Sequence, residues 1–176
     1  MDLVKNYHYD ISSEELIEIF LDKQFTISRF EKSGVTDYEI EHFGEKNGKF
    51  VISIRRKLEV RPPEKLPGIL KKMIKGSNTM VTTVAWDLEG KDSRTGIYQY
   101  GLEGVPVDIM GTTVIKPSGN GCVNEVRVGL KTSIPFVGKQ LSKIMTAKIE
   151  SGLDKNHEAT LRYIDEVLEL KRIKAG

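Results

Sequence analysis

The spacing of apolar positions changes several times along the chain, and each change marks an element. Leu3 to Asp10 alternates, with Leu3, Lys5, Tyr7 and Tyr9 on one side and Val4, Asn6 and His8 on the other, which predicts a strand. Ser12 and Glu15 then stand at capping-box spacing, ahead of Leu16, Ile17, Ile19, Phe20 and Leu21, an amphipathic helical pattern. Phe25 to Lys32 reads as a second short helix ending at Gly34. Period-two patterns follow over Val35–Phe43 and Phe50–Val60, joined through Asn47-Gly48, the pair that a tight hairpin turn demands. In the second of these, Phe50, Ile52, Ile54 and Arg56 share one side, against Val51, Ser53 and Arg55. Pro62-Pro63 stops it, and Ile69, Leu70, Met73 and Ile74 suggest a short helix closed by Gly76.

Four further strands are predicted over Thr79–Leu88, Thr95–Leu102, Val107–Ile115 and Cys122–Thr132. Their links carry Gly90, Gly104-Val105-Pro106 and Pro117-Ser118-Gly119-Asn120-Gly121, which are turn chemistry. Links this short favour antiparallel pairing, because parallel neighbours need a crossover. From Phe136 onward proline disappears and Val137, Leu141, Ile144, Met145, Ile149, Leu153, Leu161, Ile164, Val167 and Leu168 recur every three or four residues. This predicts one long helix, entered through Ile134-Pro135. Continuous to Leu170 it would span about 50 Å, more than the sheet is wide. A bend near Gly152 or an overhanging end is therefore expected.

The order is that of an α+β fold: a curved antiparallel sheet of about seven strands, two short helices after the first strand, and a long C-terminal helix to cover the one buried face. A sheet that grips a helix leaves an elongated cavity between them. This order resembles the helix-grip fold of the START-like superfamily, also called SRPBCC or birch-pollen-allergen-like. More narrowly, the chain is similar to the bacterial domain-of-unknown-function family numbered 2505. The stretches that carry this are Lys65-Leu66-Pro67, Val84-Ala85-Trp86, Val105-Pro106-Val107 with Gly111, and Ile134-Pro135-Phe136-Val137-Gly138-Lys139, with the opening Tyr7…Ser12-Ser13-Glu14-Glu15-Leu16. The resemblance covers essentially the whole chain, so one domain over 1–176 is expected. It implies binding of lipids, sterols, polyketides, quinones or similar molecules, and in some branches cyclase or hydrolase chemistry. Fold alone does not choose among these.

Composition narrows the class without naming a function. The 176 residues are 39% apolar and 30% charged, too apolar for a disordered chain and long enough for a core without metals or disulfides. Cys122 is the single cysteine, so no internal disulfide can form. No run approaches the ~20 apolar residues of a membrane span, and the opening MDLVKNYHYD lacks a signal peptide's apolar stretch. A cytoplasmic location is expected, with transient membrane contact left open. The net charge of +2 argues against a nucleic-acid partner. Charge is nonetheless uneven. Acids dominate before residue 55, whereas Arg55, Arg56, Lys57, Arg61, Lys65, Lys71, Lys72 and Lys75 face only Glu59 and Glu64 in 55–75. That segment is either a docking patch for an acidic partner or, the favoured reading, a counterweight to the acidic N-terminal third.

Candidate chemistry is sparse. His8, His42 and His157 have no partners at metal-ligand spacing, and His157-Glu158 on a helix reads as solvated. Cys122 has no adjacent base to activate it. Neither a catalytic motif, a metal site nor a cofactor motif stands out. The expected ligand-binding residues are instead Trp86, Tyr98 and Tyr100, Ile109 and Thr113 on a candidate inner face whose opposite side is only slightly more polar, the inward Asn124, Val126 and Val128, and Leu141, Met145 and Ile149 from the terminal helix. Gly111 leaves room for a bend or a ligand. The expected partner is a hydrophobic or amphipathic small molecule, oriented by Tyr98, Tyr100, Thr113 or Asn124; the oligomeric state is left open. The enzyme alternative uses the same cavity, with His8, Tyr98 and Tyr100 as its candidates.

Overall fold

A computed structural model describes residues 2–59, 67–74, 77–132 and 138–176. Pro62-Pro63, Lys65-Leu66, Gly76 and Ile134-Pro135-Phe136-Val137 from the sequence reading lie outside these residues. The elements are β1 (Asp2–Tyr9), α1 (Ser13–Phe20), α2 (Lys23–Lys32), β2 (Tyr38–Lys46), β3 (Lys49–Glu59), α3 (Gly68–Met73), β4 (Ser77–Asp87), β5 (Arg94–Leu102), β6 (Val107–Ser118), β7 (Gly121–Thr132) and α4 (Gly138–Ala175). The strands form one sheet in the order β1-β7-β6-β5-β4-β3-β2, every pair antiparallel. This is the α+β helix grip expected: a meander from β2 to β7, with β1 returning to the far edge.

Local chemistry sets the boundaries. Ser12 and Glu15 form the capping box of α1, each side chain taking the other's backbone N–H. Asp22 caps α2 by accepting from Gln24 N. At the other end of α2, Gly34 sits at φ 71° while Val35 N donates to Phe30 O and Gly34 N donates to Glu31 O, the paired bonds of a Schellman cap. Val35 is consumed by that cap, so β2 starts at Tyr38 rather than at Val35 as the alternation suggested. Asn47 and Gly48 both take left-handed angles, φ 51° and 73°, in the β2–β3 turn, matching the right-handed twist of the strands they join.

The concave face carries the core. Alternate residues Ile109, Thr113 and Ile115 of β6 and Asn124, Val126, Val128 and Leu130 of β7 point inward and are buried, while Met110 and Arg127 point out. Leu141 and Met145 of α4 are fully buried against them. At Gly111 a Cβ would come within 2.4 Å of Arg127 O and 3.2 Å of Val128 Cα. The space a side chain would need there is taken by the close approach of β7, so only glycine fits at this point.

Two expectations about α4 resolve differently. Gly152 produces no break: the helix runs 38 residues through it, about 57 Å at 1.5 Å per residue. The excess length appears as an overhang, with Leu168, Leu170 and Ile173 each 46–65% exposed.

Candidate functional site

The sheet and α4 do not close completely on each other. Between them lies a cavity of about 70 Å³, lined by Phe20 of α1, Thr26, Arg29 and Phe30 of α2, Ile52, Ile54 and Arg56 of β3, Thr82, Val84 and Trp86 of β4, Tyr98 and Tyr100 of β5, and Leu153 and Asn156 of α4. Two smaller lobes of about 30 Å³ each adjoin it. One lies toward Met145, Lys148 and Ile149. The other lies toward Tyr7, Tyr9, Asn124, Val126, His157 and Thr160. Leu153 and Asn156 border all three. The main chamber exceeds several-fold the ~10–15 Å³ that one water requires.

Each wall follows from local sequence. Even-numbered residues of β3, β4 and β5 face inward by strand parity. Tyr98 and Tyr100, two apart, therefore stack on one face with ring centroids 5.8 Å apart. Trp86 pairs across the sheet with Gly96. A Cβ there would meet the indole at 2.9 Å and Thr113 Cγ2 at 2.8 Å, so the missing side chain lets the indole lie down on β5. Phe20 packs on both Trp86 and Phe25, with centroids 6.1 and 5.5 Å apart.

The expected ligand residues divide by position. Trp86, Tyr98 and Tyr100 line the main chamber, Met145 and Ile149 one lobe, and Asn124 and Val126 the other. Ile109, Thr113, Val128 and Leu141 are buried and border none of the three. Thr113 donates to Asn124 Oδ1, so these two polar groups satisfy each other beneath the chamber.

Reading the sequence alone missed the cations. Arg29 comes from the buried side of α2, one turn after Phe25, and its guanidinium carbon lies 5.3 Å from the Phe25 ring centre and 5.5 Å from that of Phe30. Arg29 Nε is buried with no hydrogen-bond partner. Desolvation in this apolar setting lowers its pKa. Arg56 follows Ile52 and Ile54 inward; its pKa is lowered by burial and then by the nearby Arg29 charge. Its signal was present in the alternation of β3, which already set it apart from Arg55. The neighbours of Arg56 in sequence behave differently. Arg55 pairs with Glu41 and Glu103, and Lys57 with Asp37, on the outside of the sheet. This part of the basic segment is thus balanced largely by the acidic N-terminal third, whereas Arg61, Lys65 and Lys75 lie outside the described residues.

The histidines depart from expectation. His8 is exposed, on the convex side of β1, so it cannot join Tyr98 and Tyr100 in one catalytic set. His157, expected in solvent, instead stacks on Tyr7 at 4.6 Å and meets Tyr9 edge-on at 5.0 Å. The alternation of β1 put both tyrosines on one face, and α4 lies across that face. Tyr7 Oη donates to Asp154 Oδ1 at 2.7 Å, and Lys5 pairs with Glu150 and Asp154. Burial raises the pKa of Tyr98 and Tyr100 and pushes Cys122 up to about 11, leaving these groups protonated at neutral pH. Among the described residues no group of three or more His, Cys, Asp or Glu side chains converges as a metal site.

Comparison with known proteins agrees with this architecture. The family model described as "Protein of unknown function (DUF2505)" matches residues 6–164. No curated protein matches the sequence. Among solved structures, TTHA0849 from Thermus thermophilus superposes with a TM-score of 0.59 at 15% identity, over 93% of this chain and 99% of that one. A START superfamily protein from Mycobacterium smegmatis gives 0.56 at 13% identity, over 94% and 98%. Ara h 8.0201 gives 0.55 at 10% identity, again over 94% and 98%. At these identities the likeness is one of fold, and the fold is the START-like helix grip.

Proposed function

The chain belongs to the DUF2505 family, and from that premise we propose that it binds a hydrophobic or amphipathic small molecule between its sheet and α4. The carrying observation is the internal chamber, walled by Phe20, Ile52, Val84, Trp86 and Leu153 and fitted with a few polar groups. Apolar walls supply affinity at roughly 25 cal/mol per Å² buried, before ordering costs. Polar groups fix orientation. The START-like fold supports the same reading, since it is built around such a space. The enzyme alternative loses His8, which faces away from the chamber, and keeps Tyr98 and Tyr100 on its wall.

Trp86 is the chain's single tryptophan and is 2% exposed against the chamber, so its emission reports occupancy. The neutral dye 1-aminoanthracene should brighten on mixing with the protein and quench Trp86. Leu153→Phe, which pushes a ring into the junction of the three lobes, should weaken dye binding at least tenfold. A dye that stays dark, or that binds the variant as well as the parent, would refute the reading.

A further inference from the structure

The chamber is lopsided in charge. Arg29 and Arg56 line it, Lys148 borders the adjoining lobe, and among the described residues no Asp or Glu borders any of the three spaces. Neither arginine forms an ion pair among the described residues, although Arg55 and Lys57 beside them do. Both side chains are partly buried; a guanidinium cannot escape burial by losing its proton, and a charge taken from water without a partner is unfavourable. The faces of Phe25 and Phe30, 5.3 and 5.5 Å from the Arg29 guanidinium, return only part of that cost. Two like charges near one another, with no carboxylate among the described lining residues, form a receptor short of its counter-charge. Tyr100 and Tyr98, whose hydroxyl also meets Thr113, add two protonated hydroxyls beside them.

We propose that the ligand is an amphipathic oxyanion, a carboxylate or phosphate head between Arg29 and Arg56 with its apolar body against Trp86, Val84 and Ile52. This rests on the cavity reading above and adds the chemical class of the guest. The planar forks of the arginines suit the paired oxygens of such a head. The head supplies the missing negative charge within a desolvated site, where that attraction is strongest.

The test is a series sharing one tail: decanoate, decyl phosphate, decanol and methyl decanoate, each titrated against 1-aminoanthracene. The two anions should displace the dye at concentrations at least tenfold below those of the two neutral compounds. The preferred anion of the pair tells a carboxylate guest from a phosphate one. Arg29→Met and Arg56→Met should each weaken the anions tenfold or more while leaving decanol unchanged. Methionine keeps the packing on Phe25 and Phe30, so the unliganded Arg29→Met protein should melt no lower than the parent. Equal displacement by decanol and decanoate overturns the oxyanion and leaves the cavity reading standing. Displacement by none of the four, with dye still bound, also overturns the oxyanion alone; a dye that never binds overturns both. A sharp drop in melting temperature for Arg29→Met would mean that the charge is already compensated inside the protein, which overturns the inference independently.

Discussion

His157 shows how a residue that looks solvated becomes structural. On α4 it is one polar position among many, but β1 presents Tyr7 and Tyr9 to it, and its Nδ1 is buried without a partner. Desolvation lowers its pKa, ahead of the opposing pull of Asp154 and Glu158 and the small push from His8. The unfolded chain therefore takes up this proton more readily than the folded one. The stability that depends on neutral His157 is complete well above pH 6.5 and declines as pH falls through 6.5 toward the lower folded value. The slope cannot exceed about 1.4 kcal/mol per pH unit, and solvent screening of this partly exposed ring reduces it. Urea melts of the parent and His157→Gln between pH 5 and 7.5 should show a decline for the parent and a flatter profile for the variant. Asp154 acts in a separate window. The hydrogen bond from Tyr7, then Lys5, holds its carboxyl below 3.8, so its contribution is lost only as pH drops under that value.

Among the elements, α4 holds the clearest contrast between pattern and outcome. Its apolar periodicity was legible over its whole length, and the sheet's dimensions made an overhang or a bend necessary. The choice between them depended on whether Gly152 breaks the helix, and it does not, because α4 packs against the concave sheet on both sides of it through Ile149 and Leu153. A Cβ at Gly152 would meet nothing closer than Arg56 Nη2 at 4.0 Å, an ordinary contact. Gly152→Ala should accordingly stabilise the fold by roughly 0.5–1 kcal/mol, the helix-propensity difference between the two residues. A denaturant midpoint that moves down instead would show that the glycine is required by the Arg56 guanidinium beside it. The β2 boundary is a smaller case. Val35 fits the alternation of a strand, yet Gly34 makes the Schellman cap available and its two hydrogen bonds decide the matter.

At the scale of the molecule, a bound guest should act as a brace between sheet and helix. A ligand that binds only the folded state, present at a hundredfold its dissociation constant, adds about 2.7 kcal/mol. For a chain of this length that is roughly 5–10 °C in melting temperature. With 1-aminoanthracene as the ligand, calorimetry should show the shift in the parent and its loss in Leu153→Phe. By itself the sequence determined the order and type of the elements, the capping box of α1 and the Asn47-Gly48 turn, because these follow from local periodicity and short-range hydrogen bonds; it left the buried face of several strands open. It also held that Arg56 shares a face with Ile52 and Ile54, and Tyr98 with Tyr100. Only the tertiary structure decided that Arg29 and Arg56, 27 positions apart in the numbering, share one chamber to which no described residue brings a carboxylate. It likewise decided that Arg55 is paired outside, that His8 faces away and that His157 is packed. Those outcomes depend on how far a curved sheet closes over a helix, and no local pattern encodes that distance.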